Sequence, residues 1–67
     1  MMNKYTIYWR MPEKTVVEGD DFADAMNNAG YGQGAVSAID FYASGENDDY
    51  EWNATTREWD LKIPLTL

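Results

Sequence analysis

Carboxylates dominate the side chains of this chain that could do chemistry. Twelve aspartates and glutamates stand against five lysines and arginines, and histidine and cysteine are absent. Without imidazole or thiol there is no Ser-His-Asp or Cys-His triad, no zinc site of the finger or zincin type and no histidine-ligated haem. What remains is what carboxylates do alone: bind a hard cation, trade a proton, or present negative charge. The run Glu46-Asn47-Asp48-Asp49-Tyr50-Glu51 has the composition of a calcium loop but not the D-x-[DN]-x-[DN]-G spacing or the closing glutamate. Asp40 and Glu51 resemble an acid–base pair for glycoside hydrolysis. A chain of 67 residues, however, offers little pocket around them. The close glycines Gly30, Gly32 and Gly34 follow a helical pattern rather than joining a strand to a helix, and no lysine follows them, so a phosphate loop is not expected. No catalytic residue, metal site or cofactor is therefore assigned, and the chain is read as a non-enzyme.

The third option, charge presentation, fits the distribution. The net charge is −7 and the pI about 4.1. The cations are Lys4, Arg10, Lys14, Arg57 and Lys62, and the stretch between Lys14 and Arg57 contains none. That stretch holds nine of the twelve acids: Glu18, Asp20, Asp21, Asp24, Asp40, Glu46, Asp48, Asp49 and Glu51. Most of them have no cation nearby in sequence. Such a surface disfavours nucleic acid and anionic membranes, both of which demand cations, and favours a basic partner. A 15% aromatic content is too high for a disordered acidic tail. No stretch approaches the ~18 apolar residues of a membrane span. Met1 to Arg10 lacks the layout of a secretion signal, and Asn53-Ala54-Thr55 reads as a turn rather than a glycosylation site.

These acids must be positioned by one small domain, residues 1–67. Lys4 to Arg10 alternates as a strand, with Tyr5, Ile7 and Trp9 on one face and Thr6, Tyr8 and Arg10 on the other. Met11-Pro12-Glu13 turns, and Lys14 to Glu18 completes a hairpin. Asp20 or Asp21 caps a helix whose apolar stripe is Phe22, Ala25, Met26 and Ala29, with Gly30 as terminator. Tyr31 to Gly34 is a connector, and Ala35 to Ala43 a strand with Ile39 and Phe41 on one face and Ala38, Asp40 and Tyr42 on the other. Asp49 to Asn53 and Arg57 to Ile63 form a last hairpin, ended by Pro64. The expected fold is α+β, in the order ββαβββ, an antiparallel sheet with one short helix packed on one face.

A four-residue loop Asn53–Thr56 sets Tyr50 opposite Trp59, Glu51 opposite Glu58 and Asp49 opposite Asp60. Tyr50, Trp52, Trp59 and Leu61 then face inward. Asp49, Glu51, Glu58 and Asp60 face outward, joined by Asp40 if the preceding strand lies alongside. Directly opposed like charges cost up to about 1 kcal/mol per pair. A small domain that keeps them departs from local consistency, as functional sites do. Successive same-face positions on a strand are about 6.6 Å apart, a pitch suited to imitating a row of phosphates. A divalent cation is the rival occupant. Tyr8 and Tyr42, on the outer face beside Arg10 and Asp40, are candidate interface anchors, although plain coverage of an exposed sheet face, with Arg10 paired to Asp40, would explain that patch equally.

In YTIYWRMPEKTVVEGDDFADAMNNAGYG and AIDFYASGENDDYEW, with its small size and its lack of Cys and His, the chain resembles small acidic proteins of phages and mobile elements, in particular small type I anti-CRISPR proteins. The resemblance implies a non-catalytic inhibitor acting in the cytoplasm of a bacterial host, whose acids occupy a basic nucleic-acid channel of an effector complex. The candidate partner-binding residues come from the charge map: Asp40, Asp49, Glu51, Glu58 and Asp60, extended by Asp20, Asp21, Asp24, Glu46 and Asp48. The expected partner is a basic nucleic-acid-binding protein, with the chain itself a monomer. The alternative is an interaction module, self-associating or not, that uses an aromatic sheet face or edge.

Overall fold

The computed structural model describes residues 2–62. The order is β1 (Asn3–Trp9), β2 (Lys14–Gly19), α1 (Phe22–Asn28), α2 (Gln33–Val36), β3 (Ile39–Ser44), β4 (Tyr50–Asn53) and β5 (Glu58–Leu61). This is the expected α+β class, with antiparallel pairing throughout. The expected end of the last strand at Ile63 and Pro64 lies outside the described residues.

The strands divide into two sheets: three strands in the order β2-β1-β3, and a separate β4-β5 hairpin. β1 is central, and its alternation feeds two cores. Ile7 and Trp9 face α1, where they pack with Val17, Ala25 and Met26. Asp21 caps α1 by accepting from the Asp24 N–H at 2.8 Å. The helix closes with Tyr31 N–H to Met26 C=O and Gly30 N–H to Asn27 C=O, both 3.0 Å, around a left-handed Gly30 at φ 84°. Gly19 lets the helix approach: a Cβ there would lie 2.6 Å from Ala25 Cα.

Thr6 and Tyr8, expected on an outer face, are fully buried. Tyr8 stacks on Phe41 at 4.7 Å between ring centroids and meets Tyr50 and Trp59 edge-on at 5.1 and 4.9 Å. The second hairpin thus lies over the sheet face opposite α1. Tyr8 is core, not an interface anchor, because its ring is the platform on which that hairpin sits. On the hairpin, Trp52 packs edge-on against Trp59 at 5.6 Å, while Leu61, expected inward, is 54% exposed.

Two further expectations are corrected. Residues 33–36 of the presumed connector and strand are a helical turn, α2, so β3 begins only at Ile39. Gly32 and Gly34 raised the expectation of a loop, but Ala35 N–H bonds to Gly32 C=O at 3.1 Å and closes a turn. Ile39 and Phe41 do not share a face. The register steps from Tyr8↔Phe41 to Trp9↔Ile39, one residue on β1 against two on β3, so Asp40 is a bulge. Ile39 therefore joins the α1 side, and Phe41 the hairpin side with Tyr8. Tyr42, opposite Ile7, stands on the α1 side stacked against Phe22 at 3.8 Å.

Candidate acidic surface

The expected carboxylates fall into three groups on different parts of the fold. The first is the start of α1, where Asp21 caps the helix and Asp24 Oδ2 accepts from the Asp20 N–H at 2.8 Å. These side chains satisfy helix-start donors, on the face of the sheet away from the hairpin.

The second is the loop from β3 to β4, which crosses back over the hairpin side of the sheet. Asn47 anchors it. Its main-chain N–H donates to Thr6 Oγ1 at 2.8 Å. Its side-chain carbonyl accepts from the Tyr8 hydroxyl and, at 3.1 Å, from the Asp49 N–H. Its side-chain amide donates to Asp49 Oδ2 at 3.1 Å. Thr6 Oγ1 in turn donates to Gly45 C=O at 2.7 Å. On either side of Asn47, Glu46 pairs with Lys4 at 2.6 Å, and Asp48 pairs with Lys14 and, at 3.1 Å, with Lys62. Glu46 and Asp48 lack a cation in sequence but have three in space, because the loop folds over Lys4 of β1 and Lys14 of β2 and passes Lys62 at the end of β5. Sequence reading missed Asn47 and Thr6; the signal was an asparagine inside an acidic turn, facing the polar side of an alternating strand.

The third group is the outer face of the hairpin, where the register is corrected. Trp52 lies opposite Trp59, Glu51 opposite Asp60 and Asn53 opposite Glu58. The loop is Ala54–Arg57, one residue later than expected. Asn53 remains in β4, and its side-chain carbonyl accepts from the Thr55 and Thr56 N–H groups at 2.9 and 3.2 Å, while Arg57 adopts a left-handed φ of 57°. The alternation of faces survives this shift, with Tyr50, Trp52 and Trp59 half-buried, but Leu61 is exposed and Asp60 half-buried, and the opposed acids are Glu51 and Asp60. Glu58 meets an amide, and Asp49 is level with Lys62, whose N–H bonds to the Asp49 carbonyl at 2.6 Å. Asp60 also accepts from Asn53 Nδ2 at 2.8 Å. Asp40 does not join this face, because β3 pairs with β1 and not with the hairpin. Among the described residues no ion pair reaches Asp40, Asp49, Glu51, Glu58 or Asp60, and Arg10 does not pair with Asp40.

The paired loop makes stability depend on pH. Hydrogen bonds and charge from Lys14 and Lys62 hold the Asp48 carboxyl below its usual range, and Lys4 does the same for Glu46. These contributions are complete above about pH 4, the unfolded range, and vanish as pH falls through the lower folded values. Burial, reinforced by the charges of Asp48 and Asp49, pushes the Tyr8 phenol above its usual value. The folded state therefore holds that proton longer, and stability declines as pH rises beyond about 10. Urea midpoints across pH are expected to fall at both ends, and Tyr8→Phe is expected to reduce the alkaline fall. A flat alkaline limb in the parent would contradict this placement of Tyr8.

Among the described residues no three acids converge as a metal-binding group, and no helix is long and apolar enough to cross a membrane. Comparison with protein-family models, curated proteins and solved structures finds no match to this chain.

Proposed function

We propose that the protein is a non-enzymatic inhibitor that presents the hairpin's carboxylates to a basic nucleic-acid-binding surface and blocks it as a mimic of DNA charge. The observation that carries this reading is the pairing of Glu51 with Asp60 directly across the hairpin, with Glu58 beside them and no ion pair to any of the three among the described residues. The lysines Lys4, Lys14 and Lys62 are engaged by Glu46 and Asp48 instead. The acting set is then Glu51, Glu58 and Asp60 with Asp49 at the margin, and the acids of α1 are structural. The target class suggested by the resemblance is a type I CRISPR surveillance complex in a bacterial cytoplasm. Binding driven by released counterions weakens steeply with salt. A pull-down from a bacterial lysate is expected to retain a basic nucleic-acid-binding complex at low salt and lose it at high salt. Retention indifferent to salt would overturn the charge mechanism.

A second reading, an interaction module using a sheet edge, is favoured by one observation: β3 is an edge strand carrying Tyr42, which is 48% exposed.

A further inference from the structure

We propose that the outer edge of β3 takes up an extended strand from a partner protein, with an apolar side chain opposite Tyr42 and a lysine or arginine two residues on, over Asp40. This inference rests on the interaction reading of the β3 edge and not on the hairpin carboxylates.

The phase of the ladder shows which backbone groups are available. Gly45 N–H bonds to Lys4 C=O at 2.7 Å, so the bonded positions on β3 run through Gly45, Ala43 and Phe41, opposite Lys4, Thr6 and Tyr8. In an antiparallel pair the intervening residues turn their N–H and C=O away from the partner. Tyr42 and Ser44 therefore direct their main-chain groups out of the sheet, and no other described strand pairs there. Such an edge is a template for strand addition, in which main-chain bonds supply affinity and alternate side-chain pockets supply selectivity.

The pocket lies beside it. Phe22, Val36, Ile39, Asp40 and Tyr42 line a cavity of about 390 Å³, which adjoins one of about 490 Å³ under Phe22, Met26, Tyr31 and Val36. Its walls are apolar, and Val36 is 55% exposed. Among the described residues, Asp40, placed there by the bulge, is the one charged side chain lining either cavity, and no ion pair engages it. Lys4, near the far end of the strand, is held by Glu46. A strand antiparallel to β3 places its residue opposite Tyr42 and the next but one, opposite Asp40, on the same face. One apolar and one basic residue at that spacing satisfy the groove and the carboxylate together. A second copy of this chain would bring another Asp40 and a further charge of −7, so a foreign basic strand is the complementary occupant.

The test uses the full chain and a capped peptide alternating threonine with valine and arginine, read by amide hydrogen exchange. Saturating peptide is expected to slow exchange of the Tyr42 and Ser44 amides at least about tenfold, through their new bonds. A control peptide N-methylated at the valine and the arginine, whose N–H groups would face β3, keeps the same side chains and charge and leaves them unchanged. Asp40→Lys weakens binding roughly fivefold, and Ser44→Pro removes the outward donor without touching the β1 ladder. Glu51→Lys leaves edge binding intact, so failure at the edge is separable from failure of the charge mimic. Equal binding of both peptides, protection spread over the hairpin instead, or protein-concentration-dependent protection without peptide, the mark of a second copy, would each overturn the proposal.

Discussion

Tyr8→Ala is expected to leave most molecules unfolded in the absence of denaturant. Tyr8 has no exposed surface, and its ring is the common neighbour of Phe41, Tyr50 and Trp59. Removing a buried aromatic ring costs about 3–5 kcal/mol. A domain of this length holds only about 3–10 kcal/mol in total. The loss is therefore comparable with the whole margin, and it falls on the contact that joins the two sheets. Tyr8→Phe is the milder control. It keeps the ring but leaves the Asn47 side-chain carbonyl without the hydroxyl that donates to it, at a cost of about 1–3 kcal/mol. Urea titrations followed by tryptophan fluorescence should show no folded baseline for the alanine variant and a lowered midpoint for the phenylalanine one. A native-like transition in Tyr8→Ala would mean that the hairpin is held by something other than this cluster.

The second large effect concerns binding. Glu51→Lys, Glu58→Lys and Asp60→Lys together take the net charge from −7 to −7 + 6 = −1. All three side chains lie on the outward face of the hairpin, away from the aromatic cluster. The cross-strand repulsion between residues 51 and 60 changes sign of charge but not of energy, and Asp60→Lys gives up the bond from the Asn53 amide, so the fold should lose no more than about 3 kcal/mol. Affinity for a basic surface should fall by roughly a hundredfold or more at low salt, because attraction becomes repulsion. Single neutral changes such as Glu58→Gln should cost only a few-fold. Matched substitutions at the helix acids Asp21 and Asp24 should act on stability, through the cap, rather than on binding. Unaltered inhibition by the triple variant, with its fold intact, would exclude the hairpin face as the binding surface.

These expectations depend on features that differ in how plainly the sequence displays them. The first hairpin, α1 and the aromatic–acidic alternation of the last hairpin follow from local rules: period-two alternation, an aspartate cap, a glycine terminator. The inward placement of Tyr50, Trp52 and Trp59 and the outward placement of Glu51 and Glu58 are legible for the same reason and survive a register shifted by one loop residue, whereas at the end of β5 Leu61 is exposed and Asp60 half-buried. The shift itself turned on whether Asn53 ends the strand or begins the loop. Its side chain can serve both states, since it caps the loop while its backbone stays in the ladder. The burial of Tyr8 was hidden because alternation assigns faces but does not say that both faces of β1 are covered. The bulge at Asp40 was hidden because its cause is tertiary: Ile39 and Phe41 are each wanted by a different core. The pairing of Glu46 and Asp48 with lysines more than ten residues away in sequence depended on the path of a loop that Thr6, Tyr8 and Asn47 hold down from the opposite side. Of the acids proposed from the charge map, Glu51 and Glu58 on the hairpin have neither an ion pair nor a side-chain hydrogen bond among the described residues, Asp49 and Asp60 accept only from asparagine amides, and Asp21, Asp24, Glu46 and Asp48 have local duties.

The most direct measurement of the charge mechanism is displacement of duplex DNA from a purified type I surveillance complex, titrated with the parent protein across about 50 to 200 mM salt. Charge mimicry predicts an inhibition constant whose logarithm rises linearly with that of the salt concentration, with the slope largely lost in the triple-lysine variant. Displacement that does not vary with salt, or no displacement of DNA by a folded parent protein, would contradict it.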